Sequence, residues 1–168
     1  VMSAMRGAHY GGRGICAVRE NRGGVLFSLV YDRVIARNVD PIEKKPLFHF
    51  LPGGRAFSLA VAGCNLRCLN CQNWEISQVG PWQTRNEELS PEEVVAQARR
   101  FSCDALAFTY SEPTSFYEYG LDAAALAAAV SLFRCGAVAS LFSSAVAAHL
   151  LPALTASAAV CLGCAWVL

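Results

Sequence analysis

The sequence predicts an α/β fold built on a parallel βα unit, with an N-terminal β-hairpin extension before it and an apolar, Ala-rich tail behind it. Three observations carry that prediction. Ala56 to Ala62 is a short apolar run ending in Gly63, which suits a buried parallel strand feeding a loop. Ser90-Pro91-Glu92-Glu93 then reads as a helix start, with Ser90 as N-cap, Pro91 at the first helical position and Glu93 closing a capping box. That helix is expected to run to about Arg100, where Arg99 and Arg100 complement the negative end of its dipole. Ala105 to Tyr110 supplies the next strand. Strand, loop, helix and strand in that order make a parallel βα unit.

The remaining elements follow from the N-terminus. Residues 1–24 are rich in Gly and Arg and are expected to be irregular, with Glu20-Asn21-Arg22-Gly23-Gly24 as a turn signal. Val25 to Val30 and Val34 to Val39 are two β-branched runs flanking Tyr31-Asp32-Arg33, and they predict a hairpin. Asp40 to Gly53 holds three prolines and closes on Pro52-Gly53, so it predicts an ordered loop. Its Asp40, Glu43, Lys44, Lys45 and His49 are read as parts of a solvated or salt-bridged loop. After the second strand a helix is expected from about Ser115 to Phe133, with Phe116, Tyr117, Leu121 and Leu126 on its apolar side.

Composition changes sharply after Asp122. The 46 residues beyond it contain sixteen alanines and one formal charge, Arg134. Ala137 to Ser144 reads as a third strand and Ala145 to Leu151 as a helix stopped by Pro152. A frame or truncation artefact is one reading of this tail; degenerate barrel units and a membrane helix are the others. Cys135 to Ala148 is too short to span a bilayer, which takes ~20 residues, and Arg134 near its centre would cost at least ~2.5 kcal/mol. Three segments result: 1–55 as an N-terminal extension, 56–134 as the βα unit, and 135–168 as the degenerate tail.

Bulk properties exclude several functions. A chain of 168 residues is long enough for one domain with its own core. A net charge of +1 without any basic run argues against a nucleic-acid partner. Eight cysteines and no secretory h-region favour a reducing, cytoplasmic setting and metal chemistry over a disulfide framework. The start at Val1 leads to the expectation that the chain is a fragment or partial reading frame.

The chemistry is concentrated in Gly63-Cys64-Asn65-Leu66-Arg67-Cys68-Leu69-Asn70-Cys71-Gln72-Asn73-Trp74. Cys64, Cys68 and Cys71 form C-x3-C-x2-C, a spacing short enough for one loop to turn three thiolates toward one centre. They could be small core residues, because free Cys is often buried. A structural zinc site would want a fourth ligand, and no nearby Cys or His supplies one. An iron–sulfur cubane held by three thiolates keeps one iron open to a small molecule, and that is the better reading. Cys16 is read as a packed or free thiol, and Cys161-x2-Cys164 as incidental.

This loop resembles the cluster loop of the radical S-adenosylmethionine (SAM) enzymes. More narrowly, it is similar to the AmmeMemoRadiSam-system radical SAM enzymes, relatives of the pyruvate formate-lyase activating enzyme. Three blocks carry the narrower likeness: Cys71-Gln72-Asn73-Trp74-Glu75-Ile76-Ser77-Gln78, the run from Asp40 to Gly53 (DPIEKKPLFHFLPG), and Phe108-Thr109-Tyr110-Ser111-Glu112-Pro113-Thr114. The likeness spans about Gly14 to Asp122.

The resemblance implies a partial (βα) radical SAM barrel in 56–134, with function at the carboxyl ends of its strands. It implies that Cys64, Cys68 and Cys71 ligate three irons of a [4Fe–4S] cluster and that SAM takes the fourth. Reductive cleavage of SAM would then give a 5′-deoxyadenosyl radical that abstracts hydrogen from a substrate, a small molecule or a protein. An external electron donor is implied as a partner. Glu112 aligns with the acidic residue of the superfamily's Gly-Gly-Glu strand-end motif, which accepts from the SAM amino group. Tyr110 and Ser111 replace the two glycines, and Ser111 falls in the same contact region. Asn70 holds the position where an aromatic residue often lies beside adenine. Asn65, Asn70 and Asn73 are candidate tuners of the cluster, and Trp74 is expected to pack beneath the loop. The alternative is an inactive iron–sulfur or metal-binding fragment of such an enzyme.

Overall fold

The computed structural model describes residues 12–129 and 166–167. Its strands are β1 (Arg19–Arg22), β2 (Val25–Ser28), β3 (Arg33–Pro41), β4 (Arg55–Val61), β5 (Glu87–Glu88), β6 (Ala105–Phe108) and β7 (Trp166–Val167). Its helices are the single turn α1 (Trp74–Ser77), then α2 (Pro91–Arg100) and α3 (Tyr117–Ala129). β1 and β2 make a separate two-stranded sheet, and the other five form one sheet in the order β5-β3-β4-β6-β7.

The βα unit forms as the sequence predicts. β4 and β6 are parallel, with Ala56 opposite Ala105 and Leu59 opposite Phe108, and α2 lies between them in the chain. Its capping box is complete: the Glu93 amide donates to Ser90 Oγ, and Glu93 Oε2 accepts from the Ser90 amide at 2.8 Å. The sheet is mixed and open, because β3 runs antiparallel to β4 on its other side. Among the described residues β4 and β6 are the one parallel pair, so they hold a single parallel βα step.

Strand alternation sorts large side chains from small ones. Phe57, Leu59 and Val61 of β4, with Leu106 and Phe108 of β6, join Val94, Val95 and Ala98 of α2 and Tyr119, Ala123 and Ala127 of α3 in the main core. Ala56, Ala105 and Ala107 pack on the opposite side with Ile42, and Leu47 and Phe50 of the 40–53 loop lie against them. Helices therefore cover one face, and the Pro-rich loop covers the other.

Three expectations need correction. The hairpin lies one element earlier than predicted, at β1–β2, and Arg19–Arg22 is strand where irregular chain was expected. Gly23 and Gly24 both have positive φ, 62° and 86°, the backbone a two-residue hairpin turn demands. Asn21 Oδ1 also accepts from the Gly24 amide. The second run, Val34 to Val39, pairs with β4, where the buried Val34 reaches the core. Of the apolar side expected for α3, Phe116 is buried just before the helix and Leu126 packs against the core, but Leu121 is exposed, and the fully buried positions on the helix are Tyr119, Ala123 and Ala127.

The 40–53 loop is ordered, as expected, with one 3-10 turn at Ile42–Lys44. Glu43 accepts from the Gly53 amide at 2.7 Å and closes it. The expected strand at 137–144, the helix at 145–151 and the Cys161-x2-Cys164 pair lie outside the described residues. Among the described residues, no helix is long and apolar enough to cross a membrane.

Candidate functional site

Because β4 and β6 are adjacent and parallel, the chain leaves both at the same rim. The cysteine loop follows β4 and the Tyr110-Ser111-Glu112 turn follows β6. Side chains and amides fasten the two together. Ser111 Oγ donates to the Val61 carbonyl at 3.1 Å, and the Glu112 amide donates to Cys64 Sγ at 3.4 Å. The Leu66 amide donates to the same sulfur, also at 3.4 Å. Burial pushes the Cys64 thiol up, while these two amides oppose that shift.

Gly63 opens the loop with φ +83°, and a Cβ there would meet the Cys16 carbonyl oxygen at 2.3 Å and a Val18 methyl at 2.5 Å. Cys16 is a packed, buried thiol whose backbone sets that limit. Further ties hold the loop: the Gly63 amide donates to the Ile76 carbonyl, Gln78 to the Leu66 carbonyl, and Arg67 to the Ile15 carbonyl.

The three cysteines sit at different depths. Cys64 is buried, Cys71 is half-buried with its sulfur 3.5 Å from Ser77 Oγ, and Cys68 is exposed. Among the described residues no three His, Cys, Asp or Glu side chains are gathered closely enough to hold a metal ion. The donor chemistry nonetheless fits a thiolate-bound cluster. All three thiols are free, and the innermost sulfur already accepts amide hydrogen bonds of the kind that tune such clusters. Asn65 Oδ1, in the same loop, is buried without a donor, an acceptor that a bound group could satisfy. Asn70 is exposed on the loop, and the Asn73 carbonyl accepts from the Ser77 amide at the start of α1. Trp74 does not pack beneath the loop; it is 64% exposed, carried outward on α1.

Glu112 is half-buried, and Thr114 Oγ1 donates to its Oε1 at 2.5 Å. Behind it, the fully buried Arg19 pairs with both carboxylate oxygens of Glu118 and reaches the Thr114 carbonyl. Burial opposes ionisation of Glu118, but Arg19 outweighs it and holds that carboxyl low. The hairpin thus props the segment that carries Glu112.

Tyr110 takes φ +69°, and the Ser111 amide donates across it to the Thr109 carbonyl at 2.9 Å. A hydrogen bond over three residues with a positive central φ is the rare γ-turn. A non-glycine residue held in such a region costs about 1–3 kcal/mol.

Asp40 lies beneath this turn, which sequence reasoning did not foresee. Tyr110 donates from its hydroxyl to Asp40 Oδ2 at 2.9 Å. Lys45 donates to the same oxygen at 2.7 Å, and Lys44 to Oδ1 at 2.8 Å. Asn38 donates to the Tyr110 hydroxyl, and the Lys45 ammonium lies 5.1 Å from the Tyr110 ring centre. Asp40 and Lys45 are both buried. Burial alone would raise the Asp40 pKa; the hydrogen bonds from Lys44, Lys45 and Tyr110 hold it well below the usual carboxylate range. Tyr110 is pushed up by burial and by the Asp40 charge. The salt-bridged reading of this loop holds for Asp40, Lys44 and Lys45, and the Asp40–Lys45 pair is buried rather than solvated.

A family model described as the radical SAM superfamily matches residues 59–152, more than half of the chain, from within β4 to beyond the composition shift at Asp122. An uncharacterized protein of Methanocaldococcus jannaschii is 48% identical over 124 residues. That alignment covers 74% of this chain and 37% of the relative, so the chain spans well under half of the relative's length. No solved structure matches.

Proposed function

The chain belongs to the radical SAM superfamily, and from that membership we propose that it binds a [4Fe–4S] cluster through Cys64, Cys68 and Cys71 and uses it to cleave SAM for hydrogen abstraction. The bound cluster would supply an electron to the sulfonium of SAM, releasing methionine and a 5′-deoxyadenosyl radical. The observation that carries the reading is the junction of the two loops at one rim, where the Glu112 amide meets the Cys64 sulfur.

The chain's own residues would divide the work. Amides of Leu66 and Glu112 stabilise negative charge on the Cys64 sulfur. The Glu112 carboxylate, held by Thr114, is the acceptor for the SAM amino group, a charge-assisted contact that orients as well as binds. Ser111 supports that contact by fixing the turn to Val61, and Asn70 lies on the loop where the adenine is proposed to bind. The narrower proposal is an AmmeMemoRadiSam-type enzyme acting in the cytoplasm with an external electron donor. Its substrate is a small molecule or a protein.

A second reading, cluster or metal binding without turnover, draws on the different depths of the cysteines, with Cys64 buried and Cys68 exposed. Incubating the anaerobically reconstituted chain with SAM and dithionite separates the two. Formation of 5′-deoxyadenosine supports the enzyme, whereas a bound cluster with intact SAM supports the binding fragment.

A further inference from the structure

We propose that Tyr110 is a positioning residue for the cluster loop. Its hydroxyl, tethered to Asp40, holds the γ-turn that sets the Glu112 amide against the Cys64 sulfur. The chemical part of this inference rests on the cluster reading above; the structural part does not.

The γ-turn at Tyr110 is strained, and besides the Ser111 hydroxyl bond to Val61 it is tied at the Tyr110 side chain. Two residues on, the Glu112 amide must point back at Cys64 to make its 3.4 Å contact, so any relaxation of the turn withdraws that amide. The tether is the Tyr110 hydroxyl on Asp40 Oδ2, seventy positions away in sequence. Asp40 is itself fastened: it lies near the end of β3 opposite Ala56 of β4, and Lys44 and Lys45 bond its two oxygens. The Lys45 ammonium also lies near the Tyr110 ring. The Asp-Pro-Ile-Glu-Lys-Lys block thereby serves as a buried, charge-clamped anchor on the sheet face opposite the helices, supporting the site from below.

The consequence reaches the cluster. An amide donating to a ligand sulfur favours the more negative, reduced state, so losing it shifts the reduction potential downward. Tyr110→Phe tests this, because it removes the hydroxyl and keeps the ring over Lys45. Amide hydrogen exchange of the whole chain should show about tenfold faster exchange at Ser111 and Glu112, the size expected from losing one hydrogen bond to a charged partner. Amides in β4 and β6 serve as the internal reference and should be unchanged. Once reconstituted, the variant's cluster should titrate at a more negative potential than the parent's.

Unchanged exchange at Ser111 and Glu112 would overturn the proposal, as would a uniform acceleration through β4 and β6, which marks a merely structural tyrosine. Faster local exchange with an unaltered potential would overturn the claim on the sulfur. A parent chain that takes up no cluster would instead refute the cluster reading, while exchange still decides the tether.

Discussion

The backbone amide of Glu112 lies 3.4 Å from the sulfur of Cys64, across 48 positions of sequence. Neither loop makes that contact alone. It exists because β4 and β6 are neighbouring parallel strands whose carboxyl ends share a rim, the place where α/β barrels put their chemistry. The cysteine loop and the acidic turn are thus two halves of one site.

Cys64, Cys68 and Cys71 should each be required for iron uptake, and the other described cysteines should not. Each Cys→Ser change in the trio is expected to cut iron and sulfide bound after anaerobic reconstitution by about tenfold or more, given the usual cost of losing a metal-site partner. Cys103→Ser, at a buried thiol distant in sequence from the loop, should leave the stoichiometry unchanged. Equal loss in all four variants would point to adventitious iron.

Gly63→Ala should destabilise the fold by about 2–3 kcal/mol, combining an unfavourable positive φ with overpacking. The added methyl has nowhere to go, because the Cys16 carbonyl oxygen stands 2.3 Å from its position. Urea unfolding followed by circular dichroism measures this, and a loss below about 1 kcal/mol would contradict the described packing.

Asp40→Asn removes the anion from a buried site and leaves the buried Lys45 without its partner. Breaking such a pair costs about 3–5 kcal/mol. The pH dependence has a definite sign. The Asp40 pKa is depressed by folding, so its contribution is complete above the unfolded value of ~3.9. It drains away as pH falls below that point toward the folded value. Parent stability should therefore decline in acid more steeply than that of Asp40→Asn, as measured by urea midpoints at successive pH values. Parallel curves would show that Asp40 does not carry the linkage.

Ser90→Ala deletes a cap whose hydroxyl accepts the Glu93 amide at 3.3 Å. The expected loss is about 1 kcal/mol, with any effect on iron uptake small because α2 carries none of the residues assigned to the site. A loss of iron comparable to that of a cysteine variant would contradict this separation.

What could be read from sequence was local. The capping box, the apolar β4 and β6 runs and the cysteine spacing each announce themselves within about ten residues, and each lies where expected. Register was harder to read. β1 is Arg-Glu-Asn-Arg and carries no apolar run to announce a strand, whereas apolar runs flank Asp32; the pairing of Arg22 with Val25 and the positive φ of Gly23 and Gly24 show which turn closes the hairpin. Trp74 looked like core because it is large and apolar, yet the single turn α1 carries it outward. The Tyr110–Asp40 tether had no local signature, since a tyrosine and an aspartate seventy residues apart give no hint of contact. One available signal was the tyrosine standing where the resembled motif has glycine, because that side chain needs something to hold its strained backbone.

The central claim is that the cysteine loop holds a cluster with one iron open to SAM. Its most direct test is electron paramagnetic resonance of the anaerobically reconstituted, dithionite-reduced chain, recorded with and without SAM. A reduced [4Fe–4S] signal whose g values and line shape change when SAM is added is the predicted result. A reduced cluster whose spectrum is identical with and without saturating SAM would contradict it.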